Sequence, residues 1–114
     1  MNNQVKIVPE LYEYFKKIED EIKSGNKTNE GEYKLIKKGV DLLKQDYKKG
    51  EHVSKRNQKA YSYYIKKYGI TNLWKLNVSK DWRIIYTIQG NEIEVISIIL
   101  ESLSHKEYER KFGY

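Results

Sequence analysis

Arg83 is the residue whose type and position most strongly suggest chemistry. It lies within residues 82–88, where alternation places it at mid-strand on a face that is otherwise largely apolar. A guanidinium on such a face is costly unless it meets an anion or a carboxylate. The sequence therefore predicts either an anion-binding site or a structural ion pair, with Glu94 or a carboxylate of the C-terminal tail as the partner.

Further side chains with charge or acid–base chemistry are expected beside this guanidinium. The predicted strand order returns the C-terminal tail to the start of the same strand, which brings His105, Tyr108 and Arg110 within reach. His105 is the natural proton carrier near neutral pH. Lys75 is placed on the same face of the sheet as Arg83 and adds a second cation. The alternatives are an inert exposed histidine and a solvated lysine.

Three antiparallel strands within residues 73–100 must position these side chains, because only this stretch alternates cleanly with period two. A three-residue turn centred on Lys80 joins the first two strands. The pairs expected in this hairpin are Asn77 with Arg83 and Val78 with Trp82.

A glycine-first turn at Gly90-Asn91 is predicted to join the second and third strands. The pairs expected from this turn are Gln89 with Glu92 and Tyr86 with Val95. The third strand then ends at Leu100, level with the start of the second strand. The tail from residue 101 onwards therefore leaves the sheet beside Arg83.

The N-terminal half predicts one strand and two amphipathic helices. Pro9 suits the first turn of a helix, and Gly25 ends the apolar stripe that follows it. Asn29 with Glu32 resembles a capping box at the start of a second stripe. The expected bounds are residues 4–8 for the strand, 9–24 for the first helix and 29–50 for the second.

The order of elements predicts an α+β fold in which two N-terminal helices pack on an antiparallel sheet (β-α-α-β-β-β). Residues 51–70 predict a short helix or an irregular turn, and Ser104 can cap a short C-terminal helix. The first strand pairs beside either the last or the middle strand, and the sequence leaves both open. With 114 residues we expect a single domain, 1–114.

Composition argues against several classes of site. The chain has no cysteine and two histidines, which predicts no disulfide, no metal and no cofactor. It has no run of eighteen apolar residues and no signal-peptide pattern. We therefore expect a cytoplasmic protein without membrane contact.

The positive charge is concentrated in one segment. The formal net charge is +6, and residues 51–70 hold five basic residues against one acidic residue. The five are Lys55, Arg56, Lys59, Lys66 and Lys67. Such a patch predicts a polyanion as partner. The alternative is that an AT-rich genome raises the lysine content throughout the chain.

Several segments together resemble the RelE/ParE toxin superfamily across most of the chain. The resemblance combines the order of helices and strands with three segments: Leu73-Trp74-Lys75-Leu76, Trp82-Arg83-Ile84-Ile85-Tyr86 and His105-Lys106-Glu107-Tyr108-Glu109-Arg110. It implies a RelE-like fold and the toxin of a type II toxin–antitoxin pair. RelE-type members cut mRNA on the ribosome without a metal, whereas ParE-type members poison DNA gyrase.

Metal-free cleavage of RNA needs a base for the ribose 2′-hydroxyl, a cation for the phosphorane and an acid for the leaving oxygen. Arg83 matches the arginine that RelE-type enzymes carry on this strand, and its guanidinium can bind phosphate through two hydrogen bonds. His105 or Tyr108 would handle protons, and the tyrosine ring could alternatively stack on a base. Some RelE-like enzymes carry an adjacent His-Tyr pair near the C-terminus, whereas His105 and Tyr108 are three residues apart in this chain. Lys75 would add charge at the phosphate.

The resemblance also implies how RNA and protein partners bind. The five basic residues of segment 51–70 would hold backbone phosphates, and at most one of Tyr61, Tyr63 and Tyr64 would stack on a base. His52 is a weaker candidate for the same site. A cognate antitoxin is expected to occupy an uncovered sheet face with a basic cleft. The rival functions are a ParE-like gyrase inhibitor and a non-catalytic, RNA-binding toxin homologue.

Overall fold

The structure, a computed structural model, describes residues 2–90 and 94–113 and shows an α+β fold. In chain order its elements are β1 (Asn2–Ile7), α1 (Pro9–Lys23), α2 (Glu30–Gln45), β2 (Glu51–His52), α3 (Gln58–Tyr68), β3 (Trp74–Ser79), β4 (Trp82–Gly90), β5 (Glu94–Ser104) and α4 (His105–Phe112). Each predicted element is present. The strand β2 and the full helix α3 are additions within the segment that the sequence left ambiguous.

The five strands form one mixed sheet in the order β1-β5-β4-β3-β2. Neighbouring strands are antiparallel except for β1, which runs parallel to β5. The expectation of a wholly antiparallel sheet is therefore wrong at β1. Parallel pairing needs a long crossover connection, and the helices and strands between β1 and β5 supply one.

The helices α1 and α2 cover one face of the sheet. Alternate residues of β3 and β4, with Leu76, Ile84 and Tyr86 at the centre, form a core cluster there with Leu43 of α2. Gly39 lets α2 approach closely, because a Cβ at this position would lie 2.9 Å from Ile84 Cγ1. The predicted face assignment and the predicted helical hairpin are both confirmed.

The helices α3 and α4 cover the opposite face, which is the face of Arg83. Their apolar side chains, including Tyr64 and Phe112, pack with Ile85 and Leu103 of the sheet. The expectation of an uncovered sheet face is therefore wrong. The prediction failed because it did not include the full helix α3. The spacing of the apolar residues in this segment fits a helix and a strand equally well.

The pairing of β4 with β5 differs from the predicted register by four residues from Tyr86 to Gly90 and by five residues from Trp82 to Ile85, because a register shift separates Ile85 from Tyr86. Tyr86 pairs with Ile99 and Gly90 pairs with Val95, so the two-residue turn is wrong. The predicted turn residue Asn91 and the predicted partner Glu92 lie outside the described residues. Between Tyr86 and Gly90 the shift is even and keeps side chains on their predicted faces, so burial alone does not distinguish the two registers there.

Three local predictions also fail. Val78 does not face Trp82, because a bulge follows Asn77 and pairs Ser79 with Trp82, whereas the pair of Asn77 with Arg83 is confirmed. Asn29 makes no side-chain capping hydrogen bond, and α2 ends at Gln45 rather than near Gly50. Its last turns are replaced by a loop that leads into β2.

Candidate active site

Tyr108 lies at the centre of a group of charged side chains beside the first turns of α4. The centroid of its ring is 5.8 Å from Cζ of Arg83 and 5.2 Å from Nζ of Lys75. Tyr108 is only 3% exposed and belongs to the core cluster beneath α3 and α4. Its aromatic ring attracts both cations and holds them on one side of the core. A ring buried in this way is not presented for stacking on a base.

Arg83 is held by the turn between β3 and β4. The residue is 9% exposed, and its Nη1 donates to the carbonyl oxygens of Ser79, Lys80 and Trp82 at 3.1 to 3.2 Å. Its Nε is buried and has no hydrogen-bond partner within the described part of the chain. The backbone therefore fixes one end of the guanidinium and leaves the other end for side chains.

Arg83 is not part of an ion pair with any described residue. Glu94, one predicted partner, begins β5, whereas Arg83 pairs with Leu103 near the end of that strand. Nine positions of extended chain separate Glu94 from Leu103, which is about 30 Å. The backbone position of Glu94 is therefore at the opposite end of β5 from the partner of Arg83.

The nearest side chain to the other end of Arg83 is His105. Nη2 of Arg83 lies 3.0 Å from Nδ1 of His105, and Nε2 of His105 lies 2.5 Å from Oε1 of Glu109. Arginine only donates hydrogen bonds, so Nδ1 accepts and the ring proton sits on Nε2, facing the carboxylate. The side chains of His105 and Glu109 are 45% and 46% exposed. Together they form a chain from a buried cation to a solvent-exposed carboxylate.

The capping of α4 explains why this chain of contacts forms. Ser104 and Glu107 form a capping box, in which the hydroxyl of Ser104 accepts from the amide of Glu107 at 3.2 Å. The amide of His105 donates to the carbonyl oxygen of Asp81 at 2.7 Å, which ties the helix to the β3–β4 turn. The predicted C-terminal helix and its Ser104 cap are confirmed. The tail leaves the sheet beside Arg83 as expected, although β5 ends at Ser104 instead of Leu100.

Sequence reasoning missed Glu109. The signal was present, because a histidine and a glutamate four residues apart face each other on a helix. The two residues line a surface hollow of about 450 Å³ together with Asp81, Ser104 and Lys106. His105 and Glu109, the exposed members of the contacts that start at Arg83, therefore border a hollow that a ligand can enter.

Lys75 borders the site from β3. Its side chain is 24% exposed, and its Nζ lies 3.7 Å from Oε2 of Glu51, the residue that pairs with it across β2. His52, the next residue of β2, points to the opposite face, where its ring lies edge-on to Trp74 at 5.3 Å. The structure thus brings Lys75 to the site and places His52 away from it.

The five basic residues of segment 51–70 fall into two groups. Lys55, Arg56 and Lys59 lie in and beside the first turn of α3, whereas Lys66 and Lys67 lie in its last turn. The two ends of this helix are separated by about 10 Å between Lys59 and Lys66. Lys67 is also paired with Glu10, with 3.7 Å between Nζ and Oε2. The segment is therefore not one patch.

The three candidate tyrosines of α3 have different surroundings. Tyr61 and Tyr64 are 5% and 0% exposed, and burial raises the pKa of both hydroxyls. Tyr63 is 38% exposed and lies between two lysines, Lys67 and Lys111. Burial alone would lower the pKa of Lys111, but its hydrogen bonds and ion pair with Glu101 raise it. Only Tyr63 of the three is accessible for stacking.

Comparisons with family models, with curated proteins and with solved structures gave no match. Within residues 2–90 and 94–113, no group of three or more His, Cys, Asp or Glu side chains is arranged to hold a metal ion. In the same ranges, none of the helices has the length and apolar composition needed to cross a membrane.

Proposed function

We propose that this chain is an endoribonuclease that cuts mRNA on the ribosome and acts as the toxin of a type II toxin–antitoxin pair. The observation that carries the proposal is the chain of contacts from Arg83 through His105 to Glu109 at the edge of an open hollow. It combines a fixed cation with an exposed proton-handling pair, which are the groups that metal-independent RNA cleavage requires. Lys75 supplies a second cation nearby.

In the proposed reaction the ribose 2′-oxygen attacks the adjacent phosphorus, and the bond from phosphorus to the 5′-oxygen breaks. The carboxylate of Glu109 takes the proton of the 2′-hydroxyl, because the imidazole of His105 has no free lone pair while Arg83 donates to it. The protonated pair returns this proton to the leaving 5′-oxygen. The products are a 2′,3′-cyclic phosphate and a 5′-hydroxyl.

Arg83 and Lys75 stabilise the charge on the phosphorane. The carbonyl oxygens of the β3–β4 turn orient the guanidinium, and its Nη2 contacts His105, which lines the hollow. A cation that is already oriented needs no reorganisation in the transition state. The predicted role of Tyr108 becomes a positioning role, in which its ring supports both cations.

Purified protein added to translating ribosomes tests the proposal. We expect mRNA fragments with 2′,3′-cyclic phosphate ends, which His105→Asn and Glu109→Gln abolish. Lys37→Gln is the matched control, because Lys37 is exposed on α2 on the far side of the sheet. Intact mRNA with inhibited DNA supercoiling would instead identify a ParE-like gyrase inhibitor.

A second candidate function is a non-catalytic RNA-binding protein. The three carbonyl acceptors of Arg83 favour it, because a guanidinium already satisfied by the backbone can be purely structural. This function predicts RNA affinity that falls steeply with salt and no cleavage with or without ribosomes. The same experiment distinguishes the two.

The proposed toxin requires an antitoxin. We expect an acidic protein segment that covers the hollow of His105 and its basic surroundings, since both sheet faces are occupied by the chain's own helices. Co-expression with the product of the neighbouring reading frame tests this. Cleavage should be suppressed, and unchanged cleavage would contradict the assignment of that product as the antitoxin.

A further inference from the structure

A row of exposed basic side chains, which we call the five-cation file, starts at the hollow and leads away from it along the outer side of α4. Lys106 and Arg110 are four residues apart on this helix, so they lie one above the other on the same side. Both are exposed. Lys106 also lines the hollow that His105 and Glu109 border. The file therefore begins at the candidate active site.

The file continues onto the start of α3. Gly113 follows Arg110 by three residues and lies on the same side of the helix, and a Cβ at Gly113 would be 3.4 Å from Cδ of Lys59. The side chain of Asn57 donates to the carbonyl oxygen of Phe112 at 3.0 Å and fixes the loop before α3 against the end of α4. This loop carries Lys55 and Arg56. The five-cation file therefore comprises the exposed cations of α4, of the start of α3 and of the loop before it: Lys106, Arg110, Lys59, Arg56 and Lys55.

These five cations are not neutralised by the described part of the chain. None has a carboxylate within 4.0 Å among the residues that the structure describes. The acidic residues of α4 are engaged elsewhere, Glu109 by His105 and Glu107 by the amide of Ser104. By contrast, Lys67 and Lys111 on the other side of α3 and α4 each have an acidic partner.

The exposed apolar side chains lie at the far end of this row of cations and not on α4. Tyr63 lies one turn beyond Lys59 on α3, and Ile65 lines a surface hollow together with Lys55. Among the described residues, none of the exposed large hydrophobic side chains belongs to α4. Protein interfaces usually have an apolar core with aromatic anchors, whereas nucleic-acid backbones are bound by rows of Lys and Arg. Charge without apolar surface on α4 favours a nucleic acid there.

We infer that the five-cation file binds the backbone phosphates of single-stranded RNA as the strand leaves the hollow in one direction, along α4 towards the start of α3. The inference rests on the proposed function in naming RNA as the substrate. It goes further in giving the strand a path on one side of the site only. It also adds Lys106 and Arg110 to the predicted basic residues and removes Lys66 and Lys67 from the path.

The test measures the binding of a fluorescent 2′-O-methyl oligonucleotide of about twelve nucleotides, which cannot be cleaved and spans a single-strand site. For single strands, log K falls with log salt concentration by about 0.7 per phosphate contact. The double variant Lys106→Gln with Arg110→Gln should therefore flatten this slope by about 1.4. The matched control, Lys37→Gln with Lys38→Gln on α2, removes the same charge and should leave the slope unchanged.

Two outcomes decide the inference. A flattened slope in the α4 variant alone supports the path, even if no variant cleaves mRNA, in which case only the proposed nuclease function fails. Equal slopes in both variants overturn the path, even if cleavage is intact.

Discussion

Nη2 of Arg83 lies 3.0 Å from Nδ1 of His105, although 22 positions separate the two residues in the chain. Because the guanidinium can only donate, this contact sets the tautomer of the imidazole and directs the remaining ring proton towards Glu109. The contact joins a residue of the sheet to a residue of the last helix. It defines the candidate active site and underlies the first two predictions.

Replacing Arg83 should destabilise the protein as well as inactivate it. Arg83→Ala removes a side chain that is 9% exposed and donates to the carbonyl oxygens of Ser79, Lys80 and Trp82, and a hydrogen bond typically contributes about 0.5–1.5 kcal/mol. Urea titration should show the loss in the free energy of unfolding. His105→Asn should unfold at nearly the wild-type urea concentration, because its side chain is 45% exposed. Equal stability of Arg83→Ala and the wild type would contradict the structural part of this account.

Glu109→Gln should reduce the rate of mRNA cleavage by about 10²–10⁴-fold, the usual contribution of a general acid or base. The amide keeps the shape of the side chain but cannot accept the proton of the 2′-hydroxyl. Cleavage rates on programmed ribosomes measure the effect. Glu13→Gln, an exposed position of α1, serves as the control for charge. A rate within twofold of the wild type would exclude Glu109 as the base.

Ser104→Ala should lower both stability and activity. It removes half of the capping box that begins α4, which costs about 0.5–2 kcal/mol, and it loosens the first turn that carries His105. Ser104→Asp should restore both properties, because aspartate is an equally good N-cap. Thermal unfolding and cleavage assays on the two variants provide the comparison. If Ser104→Asp does not restore the melting temperature, the hydroxyl of Ser104 does not stabilise the protein by capping α4.

Gly50→Ala should destabilise the fold through a steric clash. A Cβ at Gly50 would lie 2.8 Å from the hydroxyl oxygen of Tyr86 and closer still to the carbonyl oxygen of Lys75. Forcing a methyl group into packed structure costs about 1–3 kcal/mol. Gly31→Ala is the contrasting variant, because nothing lies within 4 Å of a Cβ at that position in α2. Urea titration should therefore show a lower free energy of unfolding for Gly50→Ala only.

The hairpin of α1 and α2 should lose stability in acid through Glu19. The hydrogen bond from Lys16, followed by that from Tyr33, lowers the pKa of Glu19 to about 2 from its usual 4.5. A lowered folded-state pKa stabilises the fold above the unfolded-state value, and the contribution disappears as the pH falls from 4.5 through about 2. Melting temperatures of the wild type and Glu19→Gln should therefore differ at neutral pH and converge near pH 2.

Much of the fold could be predicted because hydrophobic periodicity is a local signal. The stripes of α1 and α2, the alternation of β3 to β5 and the Ser104 cap all appear within short windows of sequence. Arg83 could be singled out in the same way, as a charge at an apolar position. Between Tyr86 and Gly90 the register shift of β4 against β5 is even and left the predicted faces unchanged, since the period of a strand is two.

The predictions that failed concern features that depend on contacts between segments far apart in the chain. The parallel pairing of β1 with β5 is decided by which sheet edge is available after the strands between them have folded. The helix α3 covers the second face because Tyr64 and Ala60 pack under α4, and their spacing alone fits more than one structure. Nothing local to Glu109 shows that its partner histidine is held by a buried arginine.

The sequence by itself determined the types of the main elements, the faces of the strands and the presence of one charge that needs compensation, because these follow from local periodicity and the cost of burying a charge. Tertiary structure alone decided what compensates that charge. The guanidinium of Arg83 donates hydrogen bonds to turn carbonyls and to His105, because folding brings the end of β5 and the β3–β4 turn to the same place. A contact between segments that are far apart in the chain forms only when the chain packs, and no short stretch of sequence specifies it.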